Sequence, residues 1–222
     1  MKKFNIHNLV RPNVAGLKPY SSARDEYQST GSEMVFLDAN ENPFQTDVNR
    51  YPDPQQRNLK AELAKIKNVS TEHILLGNGS DEVLDLLFRA FCEPGEDNVI
   101  TLPPTYGMYK VLANINNIEE ILNSVDQNTK MIFLCSPNNP TGNSFSEEKI
   151  SHILENFKGL VIIDEAYIDF STEESWLNKL EQYPNLVITQ TLSKAFGMAG
   201  IRLGICYASV EIIKILNKIK PP

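Results

Sequence analysis

Lys194 stands between Ser193 and the turn Ala195-Phe196-Gly197, with Arg202 eight positions further on. Residues of these types could form an imine with an aldehyde cofactor and hold its phosphate. A lysine amine attacks a carbonyl only when its proton can be removed, so its surroundings must favour the neutral form or the imine. Ser193 can donate a hydrogen bond, and Arg202 offers a planar fork of donors matched to phosphate. Alone, the same residues also describe a lysine in a surface loop.

Two upstream segments supply what such a site further needs. Leu160-Val161-Ile162-Ile163 is a short branched apolar run, the pattern of a strand buried in a parallel sheet, and it ends in Asp164-Glu165-Ala166-Tyr167. Ligands of open α/β sheets bind beyond the carboxyl ends of the strands, where Asp164 and Tyr167 fall. A buried carboxylate there can keep a pyridine nitrogen protonated and make the ring an electron sink. Tyr167 can hydrogen-bond a ring oxygen. The other reading of Asp164 is a cap or turn residue after a strand. Met131–Cys135 is a second buried run, leading into Ser136-Pro137-Asn138-Asn139-Pro140-Thr141-Gly142. Prolines and glycine at this density fix a rigid loop, from which Asn139 presents its amide at the same sheet edge.

Gly77-Asn78-Gly79 invites a dinucleotide-binding reading, but that fingerprint needs a third glycine and position 82 is Glu. The next residues form an amphipathic helix pattern, with Val83, Leu84, Leu87, Phe88 and Phe91 on one face. Its first turn offers free N–H groups and a favourable dipole to a phosphate, and Gly79 permits close approach. Ser80 or Asp81 as the cap of an ordinary helix start is the alternative. Tyr106, after Pro103-Pro104-Thr105, serves equally as core packing or as a partner stacked on a ring.

These residues need a sheet to bring them together. Strands are expected at Ile74–Leu76, Asn98–Leu102, Met131–Cys135, Leu160–Ile163, Leu186–Thr189 and Ile201–Tyr207. Helices are expected near Gln55–Lys67, Ser80–Phe91, Ile118–Ser124, Glu147–Phe157 and Val210–Lys218. Such alternation predicts an α/β fold of three layers, a mainly parallel sheet with helices on both faces. The 222 residues can bury a sizeable core, and 41% hydrophobic with 22% charged residues is ordinary for a globular protein. A net charge of −7 without a basic cluster argues against nucleic acid and anionic membranes. Cys92, Cys135 and Cys206 form no disulfide pattern, which suits a reducing cytoplasm. His7, His73 and His152 are scattered, so no metal site is expected. The N-terminus lacks the apolar core of a signal peptide, and no apolar run reaches membrane-spanning length.

Further segments extend the pattern: Leu37-Asp38-Ala39-Asn40-Glu41-Asn42-Pro43, Arg50-Tyr51-Pro52-Asp53, and Pro104-Thr105-Tyr106-Gly107-Met108-Tyr109. With Gly77–Glu82 and the three segments read first, their order and spacing resemble the fold-type I, pyridoxal-phosphate-dependent aminotransferases, and most closely the histidinol-phosphate aminotransferase family. The resemblance implies pyridoxal 5'-phosphate with Lys194 as its Schiff-base lysine, Asp164 as partner of the ring nitrogen, and Asn139 and Tyr167 on the ring oxygen. Tyr106 would stack on the ring, while Gly79, Ser80, Asp81, Ser193 and Arg202 would form the phosphate end. Lys194, Asp164 and Tyr167 would carry the chemistry. It implies amino transfer between L-glutamate and imidazole-acetol phosphate, giving 2-oxoglutarate and histidinol phosphate, in cytoplasmic L-histidine biosynthesis. It also implies a homodimer, with residues 1–36 as an N-terminal arm on the partner subunit and 37–222 as the cofactor-binding large domain. Tyr51 would reach the partner's cofactor phosphate, although a tyrosine in a Pro-bounded loop reads the same way.

Two departures stand out. The chain stops at Lys220-Pro221-Pro222, where the family continues into a small domain that carries the substrate-gripping arginine. Between Tyr109 and Met131 it also lacks an expected strand and loop, so that either residues are missing or a sheet edge is rebuilt. Three rival readings remain: an aminotransferase of other substrates, a phospho-amino-acid decarboxylase on the same scaffold, or a catalytically incomplete cofactor-binding fragment.

Overall fold

A computed structural model describes residues 4–19, 39–122 and 124–221. Its centre is a seven-stranded sheet in the order β1-β7-β6-β5-β4-β2-β3. The strands are β1 (Ile74–Asn78), β2 (Asn98–Ile100), β3 (Glu119–Ile121), β4 (Thr129–Cys135), β5 (Leu160–Asp164), β6 (Leu186–Thr191) and β7 (Leu203–Ala208). Strands β3, β2, β4, β5 and β6 run parallel, whereas β7 is antiparallel to both β6 and β1. The sheet is thus mainly parallel, as expected.

Strand alternation divides the core into two layers. Met131, Phe133, Leu160, Ile162, Val187 and Cys206 face one side. There they meet helices α3 (Ser80–Phe91), α4 (Met108–Ile115) and α6 (Val210–Leu216). Ile132, Leu134, Val161, Ile163, Ile188 and Ile205 face the other side, under α2 (Arg57–Lys67), α5 (Glu147–Asn156) and the short turn Trp176–Lys179. Central strands covered on both faces are continuous apolar runs for this reason. Among the described residues, no helix is long and apolar enough to cross a membrane.

One expectation needs correction. Ile118–Ser124 was expected as a helix, because Ile118, Ile121 and Leu122 have helical spacing. Instead α4, absent from the sequence expectation, ends at Ile115, and Asn117 turns the chain with a left-handed φ of 55°. The Gly95 N–H donates to Asn117 O at 2.7 Å, and residues 119–121 pair in parallel with β2 as β3. An open strand edge offers three residues a ladder, which outweighs the weak helix propensity of so short a stretch.

Of residues 1–36, those from 4 to 19 are described. The described part does not stand apart from the core: Ile6, Val10 and Val14 are buried with α3 and α6. Val14 belongs to a one-turn helix, α1 (Pro12–Ala15). Arg11 fixes this segment, its guanidinium on the Glu93 carboxylate at 3.1 and 3.2 Å and its N–H on Ala90 O at 3.0 Å. The rest of the expected arm, from 20 to 36, lies outside the described residues, as do Leu37 and Asp38.

Candidate functional site

The carboxyl ends of β4, β5 and β6, with the N-terminus of α3, surround one cleft of about 530 Å³, open solvent at its mouth included. Ser80, Asp81, Tyr106, Asn139, Asp164, Tyr167, Ser193, Lys194 and Arg202 all line it. Cys135, Ala166 and Thr191 line it too and were not anticipated. Residues spread over more than half the sequence converge because three parallel strands end at one edge.

Asp164 lies at the cleft floor, 3% exposed. In the ladder it is flanked by Cys135 on β4 and Thr189 on β6. Its Oδ2 accepts from the Tyr109 hydroxyl at 2.7 Å and its Oδ1 from the Ala166 N–H at 3.1 Å. Burial raises its pKa above the ordinary 3.8, and these two donors, helped less by the Thr189 hydroxyl, pull it partly back. A hydrogen bond to an ionised group contributes about 1.5–3 kcal/mol, whereas burying a carboxylate costs several kcal/mol. Two donors therefore leave a carboxylate that gains from a cationic partner. Cys135 offers no competing nucleophile, since burial pushes its thiol up to about 11.

Lys194 sits just past β6 in a turn closed by Gly197 N–H to Lys194 O at 3.0 Å, and its Nζ is 5.4 Å from the Tyr167 ring centroid. The lysine is exposed at the cleft mouth. Asn139 owes its place to its neighbour: Asn138 accepts from Thr105 Oγ1 at 2.8 Å and donates to Pro104 O at 2.9 Å, tying the proline-rich loop to the segment before Tyr106. The Tyr106 hydroxyl donates to Asp81 at 3.0 Å, and burial raises its pKa above the ordinary value.

The opposite end of the cleft is built for an anion. Gly79 caps α3 with φ 82°, and no side chain caps the first turn, so the alternative reading of Ser80 or Asp81 as the cap does not hold. A Cβ on Gly79 would lie 2.4 Å from Arg202 Nη2. Glycine here lets the guanidinium lie directly against the backbone. The Gly79 N–H donates to Arg202 O at 2.8 Å, locking β1 and β7 together at this point. Thr191 sets Ser193, with its Oγ1 3.0 Å from Ser193 Oγ and accepting the Ser193 N–H at 3.1 Å. A helix N-terminus, a hydroxyl and a guanidinium thus meet at one point, a donor set that fits a phosphate. With an amine and a buried carboxylate at the other end, the residues fit a phosphorylated pyridine aldehyde.

Tyr51 is not brought to the cleft. It is 71% exposed on a loop with Phe44 and Val48, which are also exposed. Tyr109 went unnoticed in the sequence, although its three-residue spacing from Tyr106 placed it on the same side of any helix there.

Fold and site together define a class of transferase. The family pattern described as aminotransferase class I and II matches residues 32–222, and the chain belongs to that family. Within it, the chain is 67% identical over 237 residues to a histidinol-phosphate aminotransferase of Christiangramia forsetii, covering 100% of the chain and 68% of the relative. A histidinol-phosphate aminotransferase of Bacteroides fragilis is 58% identical over 232 residues, with 98% and 67% covered. Because the first match extends over 237 residues against 222 here, that relative carries further residues within the matched span. Among solved structures, L-threonine-O-3-phosphate decarboxylase from Porphyromonas gingivalis superposes with a TM-score of 0.71 at 25% identity, covering 79% of this chain and 59% of that one. Histidinol-phosphate aminotransferase from Sinorhizobium meliloti, in complex with pyridoxal-5'-phosphate, gives 0.72 at 24%, covering 78% and 52%. The chain therefore spans little more than half of these solved chains.

Proposed function

We propose that the chain transfers an amino group between L-glutamate and imidazole-acetol phosphate, giving 2-oxoglutarate and histidinol phosphate, with pyridoxal 5'-phosphate as cofactor. The observation that carries the reading is the convergence of Lys194, Asp164, Asn139, Tyr167, Ser193 and Arg202 on one cleft. The 67% identity to a histidinol-phosphate aminotransferase supports the choice of substrate.

Ser193, Arg202 and the first turn of α3 at Gly79, Ser80 and Asp81 hold the cofactor phosphate. Asp164 pairs with the ring nitrogen, Asn139 and Tyr167 hydrogen-bond the ring oxygen, and Tyr106 covers the ring face. Bound there, pyridoxal 5'-phosphate supplies an aldehyde and a ring that withdraws electrons from the substrate carbon. Lys194 Nζ anchors the aldehyde carbon. The same amine would be placed to take the proton from the amine-bearing carbon of the substrate as base and to return a proton as acid. The adjoining cleft, lined by Ser144, Phe170 and Ser171 and sharing Asn139 and Tyr167, leaves room for the rest of the substrate.

Tyr51, exposed with Phe44 and Val48, belongs to a face covered in a homodimer, where it meets the partner's cofactor phosphate. Free, buried Cys92, Cys135 and Cys206 suit the cytoplasm.

The test is the visible spectrum of the full chain with pyridoxal 5'-phosphate, before and after histidinol phosphate. A band that bleaches on substrate is expected, and Lys194→Ala should show neither band nor turnover. Unchanged turnover in that variant would reject the assignment. The likeness to a phosphothreonine decarboxylase favours one second reading, which carbon dioxide release from O-phosphothreonine would reveal.

A further inference from the structure

Tyr109 does not line the cleft, yet it holds the residue at its floor. Its side chain is fully buried and its hydroxyl donates to Asp164 Oδ2 at 2.7 Å. The ring stacks on Phe133 at 5.1 Å, with an interplanar angle of 24°, and meets the Tyr106 ring edge-on at 5.6 Å. Phe133 stacks in turn on Phe88 of α3 at 5.2 Å. A ring packed from several sides in this way has one position, so its hydroxyl is an aimed donor.

We propose that Tyr109 is a positioning residue: its hydroxyl fixes the Asp164 carboxylate and favours its ionised form, so that the proton shared with the ring nitrogen of pyridoxal 5'-phosphate rests on the ring. The proposal rests on the reading of Asp164 as the partner of that nitrogen. A carboxylate that accepts two hydrogen bonds is less basic than one that accepts a single bond, and the less basic partner leaves the proton on nitrogen. The charged and titratable neighbours do not supply this effect by other means. Cys135 beside Asp164 stays a neutral thiol, Tyr106 stays a neutral phenol, and Asp81 is a negative charge that opposes ionisation. Lys194, Arg202 and Tyr167 line the same cleft, but the Asp164 oxygens take their hydrogen bonds from Tyr109 and Ala166, with the neighbouring Thr189 hydroxyl a smaller influence in the same direction.

Tyr109→Phe removes one oxygen and keeps the ring. Two readouts separate positioning from packing. In the cofactor-free full chain, the Asp164 carboxyl followed by carbon-13 NMR should titrate about one pH unit higher in the variant. With ring-nitrogen-15 pyridoxal 5'-phosphate, the nitrogen resonance should move toward its unprotonated position. If the variant does not fold, 3-fluorotyrosine at position 109, a stronger donor of nearly the same shape, should move both signals the opposite way. Unmoved signals beside a protonated ring in the unaltered chain would overturn the role of Tyr109 and leave the cofactor reading standing. Failure of the unaltered chain to take up the labelled cofactor would reject that reading, and this proposal with it.

Discussion

Asp164 and Glu165 are neighbours at the end of β5, and both are buried, 3% and 1% exposed. Burial raises the pKa of each above its ordinary value. Strand alternation sends them to opposite faces of the sheet. Glu165 meets the loop beyond the second layer, where its carboxylate accepts from Ser175 Oγ at 2.6 Å, Trp176 N at 2.7 Å and Gln190 Nε2 at 2.8 Å. Asp164 accepts from Tyr109 and Ala166 and opens onto the cleft. A carboxylate has about four acceptor sites. Glu165 spends most of them inside the fold, whereas Asp164 keeps capacity for a ligand. A raised pKa alone does not mark a functional carboxylate; unused acceptor capacity facing a cavity does.

Breaking each carboxylate in turn tests the contrast. Asp164→Asn should lower kcat by about 10²–10³-fold, the scale of removing one preorganised electrostatic contact, with a far smaller loss of cofactor affinity in a spectroscopic titration. Equal losses would contradict an electron-sink role. Glu165→Gln should act the other way round. Replacing the acceptor of three bonds should cost about 1–3 kcal/mol in urea unfolding, while turnover per folded molecule stays near the unaltered value. A large fall in kcat there would erase the distinction.

The smallest effect is the pH dependence of that stability cost. The Glu165 pKa is raised in the folded chain, so its linkage contribution is fully present below the unfolded value near 4.5 and is lost as pH rises through the folded value. The advantage of the unaltered chain over Glu165→Gln should be greatest at the acid end and shrink toward neutrality. An advantage growing with pH in urea midpoints would place the charged form, not the protonated one, as the stabilising species.

Much of this architecture was legible from the sequence. The runs at Met131–Cys135 and Leu160–Ile163 announced covered strands, and the spacing of Val83, Leu84, Leu87, Phe88 and Phe91 announced α3. Lys194, Asp164 and Asn139 were legible as site candidates because each comes at or just past the end of such a strand. What escaped depended on partners distant in the chain. Residues 119–121 carry helical spacing and became a strand because β2 had an open edge. Tyr109 was assigned no role from the sequence; it is a core residue, and only its 2.7 Å contact with a carboxylate 55 positions away gives it another meaning. Ile6, Val10 and Val14 are too sparse to signal burial, and they are buried because α3 and α6 leave a groove for them.

The place of β7 has a consequence for how the molecule is made. Among the described strands it comes last in sequence, yet it lies between β1, the first of them, and β6. While residues 203–208 are still unsynthesised, β1 has no neighbour to pair with, and Arg202 has not reached Gly79. A chain emerging from the ribosome can assemble β2, β4, β5 and β6 early. β1 must then wait for the antiparallel β7, a pairing that spans well over a hundred residues and is slow for that reason. The meeting of Gly79 with Arg202 at the edge of the cleft therefore waits until β7 has joined β1.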